Sequence, residues 1–131
     1  MGKTKKALVA VCASAIMVSA LPVTASAYSF NLNMPNYFVG GMRSTEYQQK
    51  TSQSTPYVDP SITTLPTAYF LAGEAMSRHN ATDVVTISNG VKYNFSWESG
   101  YGGIDTFYCL SAYPNMDGTW DAYNTRGSWG N

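Results

Sequence analysis

The sequence predicts an all-β fold, a small antiparallel β-sandwich of two short sheets, on three observations. Apolar and polar residues alternate over short stretches such as Tyr28 to Leu32 and Val91 to Trp97. Clusters of Gly, Pro, Asn and Asp separate those stretches, and the bulky residues are largely aromatic or β-branched. Period-two alternation buries one face of a strand and wets the other, while a surface helix needs apolar residues three and four apart.

The first 27 residues stand apart. Lys3, Lys5 and Lys6 lead into an uncharged run from Ala7 to Leu21, and Ala25-Ser26-Ala27 has the small-x-small form of a cleavage site. That order is expected of a secretory signal peptide. The run is too short, and its downstream flank too polar, for a stable membrane anchor. Cleavage after Ala27 leaves residues 28–131 as a single small secreted β domain of 104 residues. A chain of that length can bury a core.

Within it, Tyr28, Phe30 and Leu32 alternate with Ser29 and Asn31 as a first strand, which Met34-Pro35 breaks. Arg43 to Lys50 is polar around Tyr47 and fits either an edge strand or a loop. Thr51 to Thr67 carries Pro56, Pro60 and Pro66 among Ser and Thr, which predicts a long irregular connection. Tyr69 to Leu71 suits a strand. A helical turn or loop is expected after it, because Leu71, Ala72, Ala75 and Met76 fall at helical spacing. Val84 to Ser88, Asn89-Gly90 and Val91 to Trp97 predict a β-hairpin, since Asn and Gly tolerate the positive φ of a two-residue turn. Gly100 to Gly103 ends it. Ile104 to Tyr113 is apolar on both faces and reads as a central strand. Pro114 to Gly118 is turn chemistry, and Thr119 to Trp129 reads as two short strands around Asn124.

Loss of the leader removes three of the eight basic residues and none of the eight acidic ones, leaving about −3. Such a balance argues against nucleic acid or an anionic membrane surface as partner. Cys12 leaves with the leader, so Cys109 is the one remaining thiol and no intramolecular disulfide is available. Packing, a partner or a Cys109-linked dimer must hold the domain.

Residues that carry chemistry are sparse. His79 is the only histidine, and a small hydrolase would need it to serve Cys109 or a carboxylate, with Asp83 as its orienting group. Cys109 lies among bulky residues with no basic neighbour to lower its pKa, so an inert buried thiol is the better reading. Asn115, Asp117 and Asp121 lack the bidentate Glu of a calcium loop. Glu98 and Asp105 flank Gly100 to Gly103, as some pair among eight acids will. No Lys-Ser/Thr follows those glycines as in a phosphate loop. No cofactor, metal site or catalytic residue is therefore expected. The aromatic load of ten Tyr, five Phe and three Trp is harder to dismiss. Trp97, Trp120 and Trp129 are candidate ligand-binding residues, since exposed rings stack on sugar C–H groups; the competing reading is that the rings are the core.

An aromatic start (Tyr28 to Leu32) is followed by a polar Arg-Ser-Thr segment (Arg43 to Gln49), then an aromatic-Leu segment (Ala68 to Ala72) and a closing Gly127-Ser128-Trp129. That order resembles a family of small secreted proteins of Bacillus and related Gram-positive bacteria whose function is unassigned. The resemblance spans most of residues 28–131 as spaced fragments and implies no catalytic residues. More distantly, a short Tyr-rich all-β secreted chain ending near a Trp is similar to lactococcin-type β-sandwich bacteriocins. It departs from them in having few histidines and a negative mature charge. The expected function is a secreted, non-catalytic binding or interaction protein, bacteriocin-like, acting on a cell-envelope component or partner protein. A carbohydrate-binding module and a hydrolase using His79 with Cys109 are the alternatives.

Overall fold

The computed structural model describes residues 26–36, 41–74 and 80–131, and the ordered elements there are all strands. They are β1 (Tyr28–Met34), β2 (Arg43–Ser44), β3 (Gln48–Gln49), β4 (Tyr57–Thr63), β5 (Thr67–Gly73), β6 (Val85–Ile87), β7 (Tyr93–Asn94), β8 (Phe107–Pro114) and β9 (Tyr123–Gly130). One sheet has the order β1-β9-β4-β7; the other runs β2-β8-β5-β6, with β3 also on β8. Every pairing is antiparallel.

Alternation puts the apolar residues of both sheets into one shared core. Phe30, Leu32, Met34, Val58 and Trp129 of the first sheet meet Tyr69, Leu71, Ile87, Leu110 and Ala112 of the second, and Phe95 joins them just after β7. On β1 the outward residues Ser29, Asn31 and Asn33 are exposed, as the sequence predicts. Strand β8 is central, as its two apolar faces imply. A second cluster on the outer face of its sheet joins Phe70, Ala72 and Cys109, with Met42 and Tyr113 against them. That is why β5 is buried along its whole length. In the core, the Tyr69 hydroxyl sits 2.7 Å from Thr63 Oγ1 and 2.6 Å from Thr125 Oγ1, so the polar atoms between the sheets satisfy one another.

Three sequence expectations are corrected. The Ser/Thr/Pro-rich stretch is no irregular connection, because it contains β4, which is paired on both sides. Pro60 is accommodated where the register shifts between Pro60 and Ile62, a bulge that does not need its missing N–H. Gly127 lies opposite, and a β-carbon there would stand 2.2 Å from the Asp59 carbonyl oxygen.

The expected hairpin does not form as such. Strand β6 pairs with β5 and β7 pairs with β4, so the two arms part into different sheets. Only the base is joined, by the Thr82–Trp97 bridge and by Asp83 N–H donating to Ser96 O at 3.1 Å. Gly90 does not take a positive φ; Val91 N–H instead donates to Asn89 O at 2.7 Å, closing a three-residue turn. The third correction is β9, one eight-residue strand where two were expected. Arg43 to Lys50 resolves into the short edge strands β2 and β3. The strand at Tyr69 continues to Gly73, and the expected helical turn falls on residues 75–79, outside the described residues.

Candidate functional site: an aromatic cleft at one end of the sandwich

The register of β1 on β9 distinguishes the two ends of the molecule. Tyr28 faces Trp129 at one end and Met34 faces Tyr123 at the other, seven residues and roughly 20 Å along the strand. Near the first end, the Tyr28 hydroxyl donates to Gln49 O at 3.5 Å, and Gln49 pairs with Phe107 at the start of β8.

A cleft of about 490 Å³ opens there. One wall is Gly73 and Glu74 at the end of β5, another is Ser99 to Tyr101, and Thr106 to Tyr108 closes it. The β5–β8 ladder ends at Gly73 and Tyr108 and is prolonged by Glu74 N–H donating to Phe107 O at 3.1 Å. The loop from Glu98 to Thr106 is tied down at several points. Tyr101 N–H donates to Glu98 O at 3.1 Å, and Gly102 N–H donates to the Tyr108 hydroxyl at 2.8 Å. The Lys50 backbone bonds both Asp105 N–H and Thr106 O, each at 2.8 Å. Asp105 takes φ +67°, a rare backbone conformation for a residue with a side chain, and those bonds hold it there. The loop side of the cleft is thus held by the chain's own hydrogen bonds.

Its chemistry is that of a binding surface. The Phe107 side chain is 41 % exposed, Tyr101 is half-buried, and Glu74 brings an exposed carboxylate. Aromatic faces take apolar C–H surfaces, while a carboxylate and the Ser99 hydroxyl can bond polar groups at their edges. The Asp105 carboxylate turns to Gln49 Nε2 at 3.4 Å. Among the described residues, no three His, Cys, Asp or Glu side chains are grouped as metal ligands.

A buried lysine lies behind the cleft. Lys50 is fully buried; its Nζ donates to Ser54 O at 3.2 Å and Ser54 Oγ at 3.4 Å and stands 5.2 Å from the Trp97 ring centroid. Burial pulls its pKa below the usual lysine value.

The three candidate tryptophans do not share a surface. Trp129 points inward from β9, is 1 % exposed and packs on Tyr28 with ring centroids 5.0 Å apart. It has no face to offer a ligand. Trp120 lies near the other end, its Nε1 donating to Pro35 O at 3.0 Å. Trp97 is half-buried between Gly102 and Tyr108, 4.6 Å from the Tyr108 ring centroid, and so backs the cleft. Cys109 is 2 % exposed, with its Sγ 3.7 Å from Ser111 Oγ. His79 lies outside the described residues, and with it the His79–Cys109 pair.

Tyr101, Phe107 and Glu74, which form the cleft, were not singled out as a site by their sequence pattern. The available signal was a tyrosine inside Gly100 to Gly103 with Phe107 opening the next strand, an aromatic pair held by a glycine-rich loop. No family model, curated protein or solved structure matches this chain.

Proposed function

We propose that this chain is a secreted, non-catalytic binding protein whose end cleft captures a saccharide of a cell envelope. The observation that carries the reading is the exposed Phe107 ring beside Tyr101 and the Glu74 carboxylate, in a cleft whose loop is already fixed. Sugar rings present C–H faces to aromatics and hydroxyls to carboxylates, and both partners are in place here. A fixed loop loses little entropy on binding. This reading moves the carbohydrate site from the three tryptophans to Tyr101, Phe107 and Glu74, with the half-buried Trp97 behind them as a reporter. Bacteriocin-like action on another cell's envelope is the form the sequence resemblance suggests. Export follows from the signal-peptide pattern, and N-terminal sequencing of protein from the medium should begin at Tyr28.

The test is co-sedimentation with purified cell-wall polysaccharide and peptidoglycan, alongside tryptophan fluorescence. Binding should change Trp97 emission, and Phe107→Ser should abolish binding with the melting temperature kept. Binding unaffected by Phe107→Ser and Tyr101→Ser would place the ligand elsewhere.

A further inference from the structure

Among the strands with an unpaired side, β2, β3, β6 and β7 are only two or three residues long. Strand β1 is different. It has seven residues, pairs with β9 alone, and among the described residues no further backbone bond reaches its outer side. Long edge strands are usually guarded by charge, proline or a bulge, because their free N–H and C=O groups invite another strand. Tyr28 to Met34 has none of these guards. A groove of about 370 Å³ runs beside it, between Tyr28 to Leu32 and the segment from Ser44 to Gln48.

We propose that this edge pairs with the β1 edge of a second copy of the same chain, joining two four-stranded sheets into one of eight strands. The sequence of β1 carries the choice of partner. Asn31 is its middle residue, so an antiparallel two-fold centred there superimposes inward on inward and outward on outward positions. Phe30 meets the other copy's Leu32 and Tyr28 meets its Met34 on the core side. On the outer face Asn31 meets Asn31 and Ser29 meets Asn33. No side chain of the strand is charged, and the α-amino groups at the two copies' Tyr28 lie at opposite ends of the pairing, so a second copy brings no repulsion along it; the neighbouring edge carries Arg43 and Glu46, one charge of each sign. The proposal does not depend on what the end cleft binds.

The decisive variant is Asn31→Glu. Within one copy the new carboxylate faces Arg126 across β9, so the fold tolerates it. Across the two-fold it faces its own image, and like charges so placed should weaken association at least about tenfold. Sedimentation equilibrium of protein purified after expression of the full chain should give a dimer for the wild type and a monomer for Asn31→Glu. An equimolar mixture of Asn31→Glu with Asn31→Lys should return the dimer. Should Asn31→Glu fail to fold, hydrogen exchange on the unaltered protein decides: the outward amides of β1 should gain protection only at high concentration. A wild-type monomer at about 100 µM, near the top of ordinary association ranges, overturns the proposal. A dimer indifferent to Asn31→Glu, or β1 amides unprotected within the dimer, overturns it equally. A dimer dispersed by reductant would assign association to Cys109, and a monomer whose β1 is protected by an unrelated peptide would assign the edge to another protein; both overturn it.

Discussion

Gly102 lies flat against Trp97: a β-carbon at Gly102 would stand 2.8 Å from two atoms of the indole ring. The glycine also takes φ +93°, and its N–H holds the Tyr108 hydroxyl at 2.8 Å. One residue therefore fixes the loop's backbone, the indole and the inner wall of the cleft. Gly102→Ala forces either the ring or the loop to move and adds left-handed strain, a destabilisation of about 2 kcal/mol. Chemical denaturation checks the loss, and a shifted Trp97 emission in the folded variant checks the mechanism. An unchanged denaturation midpoint would show that the loop relaxes freely.

Gly127 meets backbone rather than a flexible ring. A β-carbon there would lie 2.2 Å from Asp59 O and 2.7 Å from Pro60 Cα. Neither atom can step aside without breaking the β4–β9 ladder in the middle of the first sheet. Gly127→Ala is expected to cost about 3 kcal/mol or more, greater than Gly102→Ala. The order of the two losses is the measurement, and the reverse order would mean that the β4 bulge yields more readily than the cleft loop.

Pro60 and Gly127 also show how far the sequence could be read. Each argues locally against a strand, and together they form one: the proline sits at a bulge and the glycine makes room for it across the ladder. A cross-strand pair separated by this much chain leaves no local signal. Where the signal was local, the sequence was legible. The alternation of β1 marked a strand with one buried face, and the doubly apolar run from Ile104 to Tyr113 marked a central one, although β8 starts only at Phe107. Between Val84 and Trp97 the inward face was partly read, since Tyr93, Phe95 and Trp97 pack on the core while Val91 is 60 % exposed. The pairing was not legible, because choosing a partner strand is a tertiary decision that Asn89-Gly90 does not control. The cleft suffered similarly. Tyr101 and Phe107 were visible as aromatics, but only the bonds of the loop to Lys50 and Tyr108 make them walls.

The Tyr69 hydroxyl offers a milder test. It bonds Thr63 and Thr125, and those two threonines are themselves 2.8 Å apart. Tyr69→Phe removes hydrogen bonds yet leaves each threonine a partner, so no buried polar atom is orphaned. The expected cost is about 1 kcal/mol, the net worth of a satisfied hydrogen bond. A loss beyond roughly 3 kcal/mol would mean that the threonines cannot bond each other once the phenol is gone.

Alkaline pH tests the joint at the base of the two parting arms. The Tyr93 hydroxyl donates to Asp83 Oδ2, while Asp83 Oδ1 accepts the Ser96 N–H at 2.8 Å. Tyr93 is pushed above the ordinary tyrosine value of 10.0, first by that hydrogen bond, then by burial and by the negative charge of Asp83. Folding therefore favours the protonated phenol. The stabilisation is complete below about pH 10 and is lost as pH rises through the higher folded-state value. Tyr123, raised chiefly by burial, adds a loss of the same sign, whereas Lys50, lowered by burial, makes the fold gain stability as pH approaches 10.5. These contributions are common to the wild type and Tyr93→Phe, so the difference between them isolates the Asp83–Tyr93 bond. Urea midpoints measured from about pH 7 to 12 should find Tyr93→Phe the less stable protein at neutral pH, with the gap closing above the tyrosine range. No gap at neutral pH would show that Tyr93 contributes only its ring packing on Phe95, which phenylalanine retains, and a gap that stays constant across the range would show that the loss is not tied to the phenol's proton.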